Sequence, residues 1–308
     1  MKLDLFIEAA FSACLLYQVG REFAPWAAQR PYTAALALGG AALTAAVSAA
    51  AFQPGADLRC SPLDPAWCLA LALGSLAAVL RFRDAALACP VGILRGSDGP
   101  GSPVCPAPAA LALAGFLFGL GLALQWRLQA ALLPGYGILL IEARWKRGAW
   151  PAWRTLGRIL SPPFFSALFG MALGRSPLLP SGLGNGEGAA ILRSGLNPGS
   201  GSGGVLGGLW RLFLVLGSQW TWPGLLALSL GWALFFRKKP WMAAGLFSLL
   251  LAPVLFSADL APALSYLMLI QTILGLGLAG FMAVPPLRRW LGLFFLAAAG
   301  AAFWRLRA

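Results

Sequence analysis

Residues 34–52 read AALALGGAALTAAVSAAAF, nineteen positions without a charge. One helical crossing of a bilayer core takes about 20 apolar residues, so this stretch alone predicts a membrane-spanning helix. Working outward, comparable apolar blocks lie at Leu5–Val19, Trp67–Leu80, Ala109–Leu124, Ala130–Ile141 and Ile159–Leu173. They continue at Trp222–Phe236, Trp241–Phe256, Leu260–Val284 and Leu291–Trp304. Loops and open sheet edges cannot face hydrocarbon, because their backbone groups would go unpaired. The pattern therefore predicts an all-α, polytopic integral membrane protein of about ten transmembrane helices, forming a single transmembrane domain over residues 1–308.

Composition narrows the chemistry. Hydrophobic residues make up 59% of the chain, charged residues 11%, and histidine is absent. The missing histidine excludes a Ser-His-Asp triad, a histidine-bearing zinc site and a histidine proton relay. The net charge of +13 sits in short breaks between apolar blocks, which speaks for membrane topology and against nucleic acid as a partner. One set of alternate breaks holds 15 of the 23 lysines and arginines, among them Arg21, Arg81, Arg83, Arg147, Arg237 and Lys239. The other set, with both termini, holds 8, including Lys2, Arg59, Arg127, Arg175 and Arg193. Cytoplasmic breaks carry the excess of positive charge, so the first set is assigned to the cytoplasm and the N-terminus to the outside. Asp4 and Glu8 interrupt the apolar run that a cleavable signal would need.

The five cysteines form no metal-ligand spacing. Cys60 and Cys68 fall on the outer side, where a disulfide could close the break between them, and Cys14 is expected to be buried in its helix. Gly115-x-x-x-Gly119 and the cluster Gly275, Gly277 and Gly280 predict close helix packing. No inverted repeat is present, which disfavours a secondary transporter of lipid or solute. The longest irregular stretch, about residues 175–205, carries Asn185 and Glu187 but no phosphate-cradling glycine loop, so no nucleotide cofactor is implied. It is either a connector or a functional external loop. Glu8 lies inside an apolar block, and an ionisable group in the membrane is a functional candidate by default. Arg175, Arg193 and Asp259 all fall on the outer side, where arginines suit bidentate binding of a lipid-linked phosphate. No close acidic pair offers a divalent metal its oxygen ligands.

The order of these features resembles the GT-C superfamily of membrane glycosyltransferases, closest to the bacterial family related to an animal transmembrane protein O-mannosyltransferase. The resemblance runs collinearly over roughly Ala10 to Arg289. It is carried by the Ala34–Phe52 and Trp67–Leu80 pair, by the glycine-rich run from Gly119 through Gln125-Trp126-Arg127, by Gly174-Arg175-Ser176-Pro177 followed by Gly184-Asn185, and by the close from Trp222 through Asp259. The resemblance implies a polyprenyl-phosphate-linked sugar as donor, other membrane lipids as partners and a bacterial inner-membrane location. It also implies a leading helix and an acidic external loop bearing the catalytic carboxylate, for which no counterpart precedes Leu5. The family's glutamate falls near Cys60 and its asparagine-histidine pair near Gln125-Trp126. Asp57, Asp64, Glu187 and Asp259 are the remaining external carboxylates, none of them at the position matched to the family's base. The expectation is a scaffold that binds the lipid but transfers no sugar alone, with a second membrane subunit as a candidate source of the lost part. An active transferase is the alternative.

Reporter fusions check the orientation. Fusions after Arg147 and after Lys239 report the cytoplasm and one near Asn197 reports the outside; an outside signal at Arg147 reverses the assignment.

Overall fold

Helices account for the regular structure throughout the described part of the chain. The computed structural model describes residues 2–24, 30–51, 65–88, 107–145, 153–174, 220, 224–256, 264–285 and 290. In chain order these give α1 (Lys2–Phe23), α2 (Arg30–Ala51), α3 (Pro65–Ala88), α4 (Ala107–Trp145) and α5 (Trp153–Gly174). After them come α6 (224–238), α7 (Pro240–Phe256), α8 (Leu264–Gly275) and a 3-10 continuation, Leu276–Ala283. Prolines at the first or second position of α2, α3 and α7 (Pro31, Pro65 and Pro240) lack only an N–H that has no partner in a first turn, and their fixed φ suits helix entry. Among the described residues one helix, over Arg30–Ser48, is by length and composition long and apolar enough to cross a membrane; shorter apolar stretches recur in α4, α5, α7 and α8.

The 39-residue helix α4 cannot be a straight rod. Phe118 and Tyr136 pack edge to face with ring centroids 5.9 Å apart. Eighteen positions of straight α-helix would set them about 27 Å apart. A β-carbon on Gly121 would also collide with the Gln129 side chain. Helix α4 therefore folds back on itself around residues 125–127, giving two antiparallel arms. Those arms coincide with the two sequence blocks Ala109–Leu124 and Ala130–Ile141.

Cross-helix neighbours fix every direction. Glycine 20 meets Thr33 and Gly40 meets Leu16, while Ser48 bonds Glu8, so α1 and α2 are antiparallel. Phe11 lies against Gly74 and Gln18 bonds Asp84, so α3 runs with α1. Ser75 with Tyr136 and Arg83 with Glu142 make the second arm of α4 parallel to α3. Gly115 meets Pro163 and Gly119 meets Ala167, so α5 runs with the first arm. Gly135 meets Leu249 and Gly245 meets Leu139, so α7 opposes the second arm. The described helices thus alternate up and down. The ends of α1, α3, α4, α6 and the 3-10 segment share one end of the bundle with the starts of α2, α5 and α7.

Both glycine clusters make the close contacts expected of them. Gly115 and Gly119 press against backbone of Pro163 and Ala167, and Gly170 returns the approach at Phe116. Gly231 meets the Gly277 and Gly280 backbones, and Trp232 donates from Nε1 to the Leu274 carbonyl at 3.1 Å, just before the helix tightens to 3-10. Such backbone proximity lets many atoms come within reach of dispersion, each contact small and the sum large.

Substitution of Gly280 by Ala places a methyl against the Gly231 carbonyl. We expect a loss of about 1–3 kcal/mol, read as a lower unfolding temperature in detergent. Gly137→Ala is the control: nothing lies within 4 Å of its added β-carbon, so that variant is unchanged or slightly more stable.

Candidate functional site

Seven residues singled out in the sequence, Asp57, Asp64, Arg175, Asn185, Glu187, Arg193 and Asp259, lie outside the described residues. The helix ends that flank them do not. Ala51, Pro65, Gly174, Phe256 and Leu264 all belong to the same end of the bundle, opposite the end described next.

At that other end sits an ion network that sequence reading treated only as topology-setting charge. Arg83 has no exposed side-chain surface. Its Nε donates to Glu142 Oε2 at 2.6 Å and its Nη2 to Glu142 Oε1 at 3.0 Å, a two-pronged grip across α3 and the second arm of α4. Its Nη1 donates to Asp84 Oδ1 at 2.8 Å and lies 3.5 Å from Glu22 Oε1 on α1. Lys239, at the α6–α7 junction, donates to Glu22 Oε2 at 2.9 Å, and Gln18 Nε2 donates to Asp84 Oδ2 at 3.1 Å. Two cations therefore face three carboxylates. A planar guanidinium with five donors can satisfy several acceptors at once, which a lysine ammonium could not do in this plane.

These groups lie beyond the apolar runs that end at Val19 and Leu80. Burial and then the Glu22 carboxylate push the Asp84 carboxyl up to about 6, against the pull of Gln18 and Arg83. Burial also acts to raise Glu22, but the Lys239 hydrogen bond and the charges of Arg83 and Lys239 outweigh it and hold Glu22 below its usual value. The excess of one carboxylate is thus carried by Asp84.

A second polar group lies towards the opposite end, between α1, α2 and α8. Glu8, Ser12, Thr44, Ser48, Gln271 and Thr272 are all buried. Ser48 Oγ donates to Glu8 Oε1 at 2.7 Å and also touches Gln271 Oε1, while Ser12 and Thr272 hydroxyls are 3.1 Å apart. Glu8 Oε2 has no hydrogen-bond partner among the described residues. The sequence flagged Glu8 as a functional candidate, and the structure encloses it fully. Its partners were not legible, because Ser48 and Gln271 are separated by 223 positions and read as isolated polar residues in apolar helices.

Cys14 corrects an expectation. It is exposed, because Ser12, Leu15, Leu16 and Val19 take the buried face of α1. Cys68 is buried near the start of α3, and Cys60 lies outside the described residues. Among the described residues no cluster of acidic, cysteine or histidine side chains could hold a metal.

No family model, curated protein or solved structure matches the chain.

Two expected outcomes follow from the network. Glu142→Gln leaves Arg83 short of its main partner in a buried setting and costs about 3 kcal/mol, whereas the double change Arg83→Met with Glu142→Leu costs less than the two single changes added together; chemical unfolding of each variant measures this. Asp84 binds its proton more tightly in the folded chain, so between 3.8 and about 6 its contribution to stability falls as pH rises. Glu22 acts oppositely, contributing stability above its ordinary value of 4.5 that is lost as pH falls. Asp84→Asn should therefore remove the Asp84 share of the falling limb and make the profile fall less across this window, read by thermal unfolding against pH.

Proposed function

We propose that the chain is a polytopic membrane protein, a GT-C-like helical scaffold that holds a polyprenyl-phosphate-type lipid at its outer face and transfers no sugar on its own. The observation that carries the membrane part is an inverted distribution of polarity. Arg83, Glu142 and Glu8 are fully buried, while Phe164, Phe165 and Phe169 on α5 stand 61–66% exposed. Leu38, Leu133, Leu226 and Leu230 are exposed in the same way. A water-soluble surface rarely carries apolar exposure spread over so many helices, whereas lipid is the solvent that accepts it.

Orientation follows from the shared end. The ends of α1 and α3 and the α6–α7 junction, where the positive charge is concentrated, meet in one plane, which is the cytoplasmic plane under the positive-inside rule. The breaks that carry Asp57, Arg175, Arg193 and Asp259 then open outward. Arginines in such a loop suit a pyrophosphate or phosphate headgroup, and the apolar face of α5, which leads directly into Arg175, offers a surface for the isoprenoid chain.

Silence in transfer rests on the residues at the family-like positions. Cys60 and Gln125-Trp126 stand where the resemblance implies a glutamate and an asparagine-histidine pair. A positioned general base gives roughly 10²–10⁴-fold, and neither a thiol in an ordinary state nor an amide supplies it at neutral pH. The described carboxylates do not replace it: Glu22, Asp84 and Glu142 are tied to Arg83 and Lys239, and Glu8 is closed off from solvent.

Purified protein is expected to bind a polyprenyl phosphate, and Arg175→Ala to abolish that binding with little change in thermal stability. Unchanged lipid binding returns the loop to a connector. Turnover of a polyprenyl-phosphate sugar by the isolated chain, lost in Asp57→Asn or Asp259→Asn, overturns the scaffold reading in favour of an enzyme.

A further inference from the structure

We propose that a groove between α1 and α3, at the end that carries the ion network, holds the phosphate of an anionic phospholipid from the cytoplasmic leaflet. The proposal rests on the membrane reading above and concerns the face opposite to the polyprenyl site. The groove encloses about 260 Å³ and is lined by Cys14, Tyr17, Gln18 and Arg21 from α1 with Arg81 and Asp84 from α3. The α1 residues fall at i, i+3, i+4 and i+7, one stripe along a single helix face. That stripe descends from the end of the bundle towards its middle. Arg21 sits at the mouth, and Cys14 lies about 10 Å deeper along the axis.

Charge at the mouth is unspent. Arg83 is committed to Glu142, Asp84 and Glu22, and Lys239 to Glu22. Arg21 and Arg81 are exposed and have no ion-pair partner among the described residues. Asp84 does not compete with an incoming anion on equal terms, because Gln18 and Arg83 already occupy its two oxygens. Two guanidinium groups without an ion-pair partner among the described residues therefore flank a wall whose one carboxylate already accepts from Gln18 and Arg83, and Tyr17 adds a ring and a hydroxyl beneath them.

Shape separates a lipid from a nucleotide or a peptide. The volume falls just under the ~300 Å³ lower end of small-molecule sites, room for a headgroup and its ester carbons but not for a whole ligand. The floor ends at an exposed thiol at the depth of the apolar run, so an acyl chain leaves sideways along α1 without re-entering water. Basic pockets between helices on the cytoplasmic side are the general form of such sites.

The test uses the full chain in nanodiscs of phosphatidylcholine with or without 20 mol% (roughly, to keep surface charge modest) phosphatidylglycerol. Native mass spectrometry counts retained anionic lipid, and peptide mapping reads maleimide labelling at Cys14. Retained phosphatidylglycerol and a slowed Cys14 reaction are expected, with retention falling roughly tenfold or more in Arg21→Ala with Arg81→Ala. The pair Arg237→Ala with Lys238→Ala, exposed at the same end but outside the groove, should leave both readouts unchanged. Equal losses in the two double variants would reduce the effect to general surface charge and overturn the groove. Protection of Cys14 by inorganic phosphate in pure phosphatidylcholine discs, with no preference for phosphatidylglycerol, would overturn the lipid as the source of the phosphate. Failure of the chain to enter discs would overturn the membrane reading and this proposal together, whereas normal insertion without lipid preference defeats only the groove.

Discussion

Arg83 is the largest fully buried side chain among the described residues, and the arrangement of helices at its end of the bundle depends on how it is satisfied. A guanidinium cannot lose its proton inside a protein, so burial leaves it one course, which is to collect acceptors. It draws Glu142 from the second arm of α4, Glu22 from α1 and its own neighbour Asp84. Glu22 in turn draws Lys239 from the α6–α7 junction. Four separate parts of the chain are thereby held at one level. Removing Glu142 leaves the buried guanidinium without its two-pronged acceptor, which is why a buried pair resists single substitutions far more than its net contribution suggests.

Glycine does the complementary work along the bundle length. Where Gly231 meets Gly277 and Gly280, or Gly115 and Gly119 meet α5, backbones approach until no β-carbon would fit. Polar bonds fix the level of the helices; glycine contacts fix their spacing. The aromatic group Trp232, Phe235, Phe236 and Phe247, with centroids 5.3–6.0 Å apart, fills the volume that the glycines leave beside them.

Much of this was legible in the sequence because hydropathy reports length and glycine reports proximity. The apolar blocks at residues 34–52 and 67–80 became α2 and α3, and the two blocks within 109–141 became two arms even though the helical hydrogen bonding runs through their junction. The packing role of Gly115, Gly119, Gly277 and Gly280 was also readable. The Arg83 network was not. Arg83 and Lys239 were counted as topology charges and the three carboxylates were not singled out, and nothing in a one-dimensional pattern says that Glu142 and Arg83, 59 positions apart, will share one buried space. Cys14 was misread for a related reason: a uniformly apolar helix does not announce which of its faces is inner. The groove stripe at 14, 17, 18 and 21 has the right period but mixes a thiol, a phenol, an amide and a cation, so no hydrophobic contrast marks it.

The Lys239–Glu22 bond spans 217 positions and the Ser12–Thr272 contact spans 260. A ribosome adding about 5–20 residues per second leaves Glu22 waiting roughly 10–40 seconds for its lysine. Throughout that interval α1, α2 and α3 must persist in their places without Lys239 and with a polar face open, held by glycine contacts, by the Ser48–Glu8 and Gln18–Asp84 bonds and by Arg83. Biogenesis therefore passes through an early half-assembly that is tight where helices touch and unfinished where charges meet, and the last helices close the first.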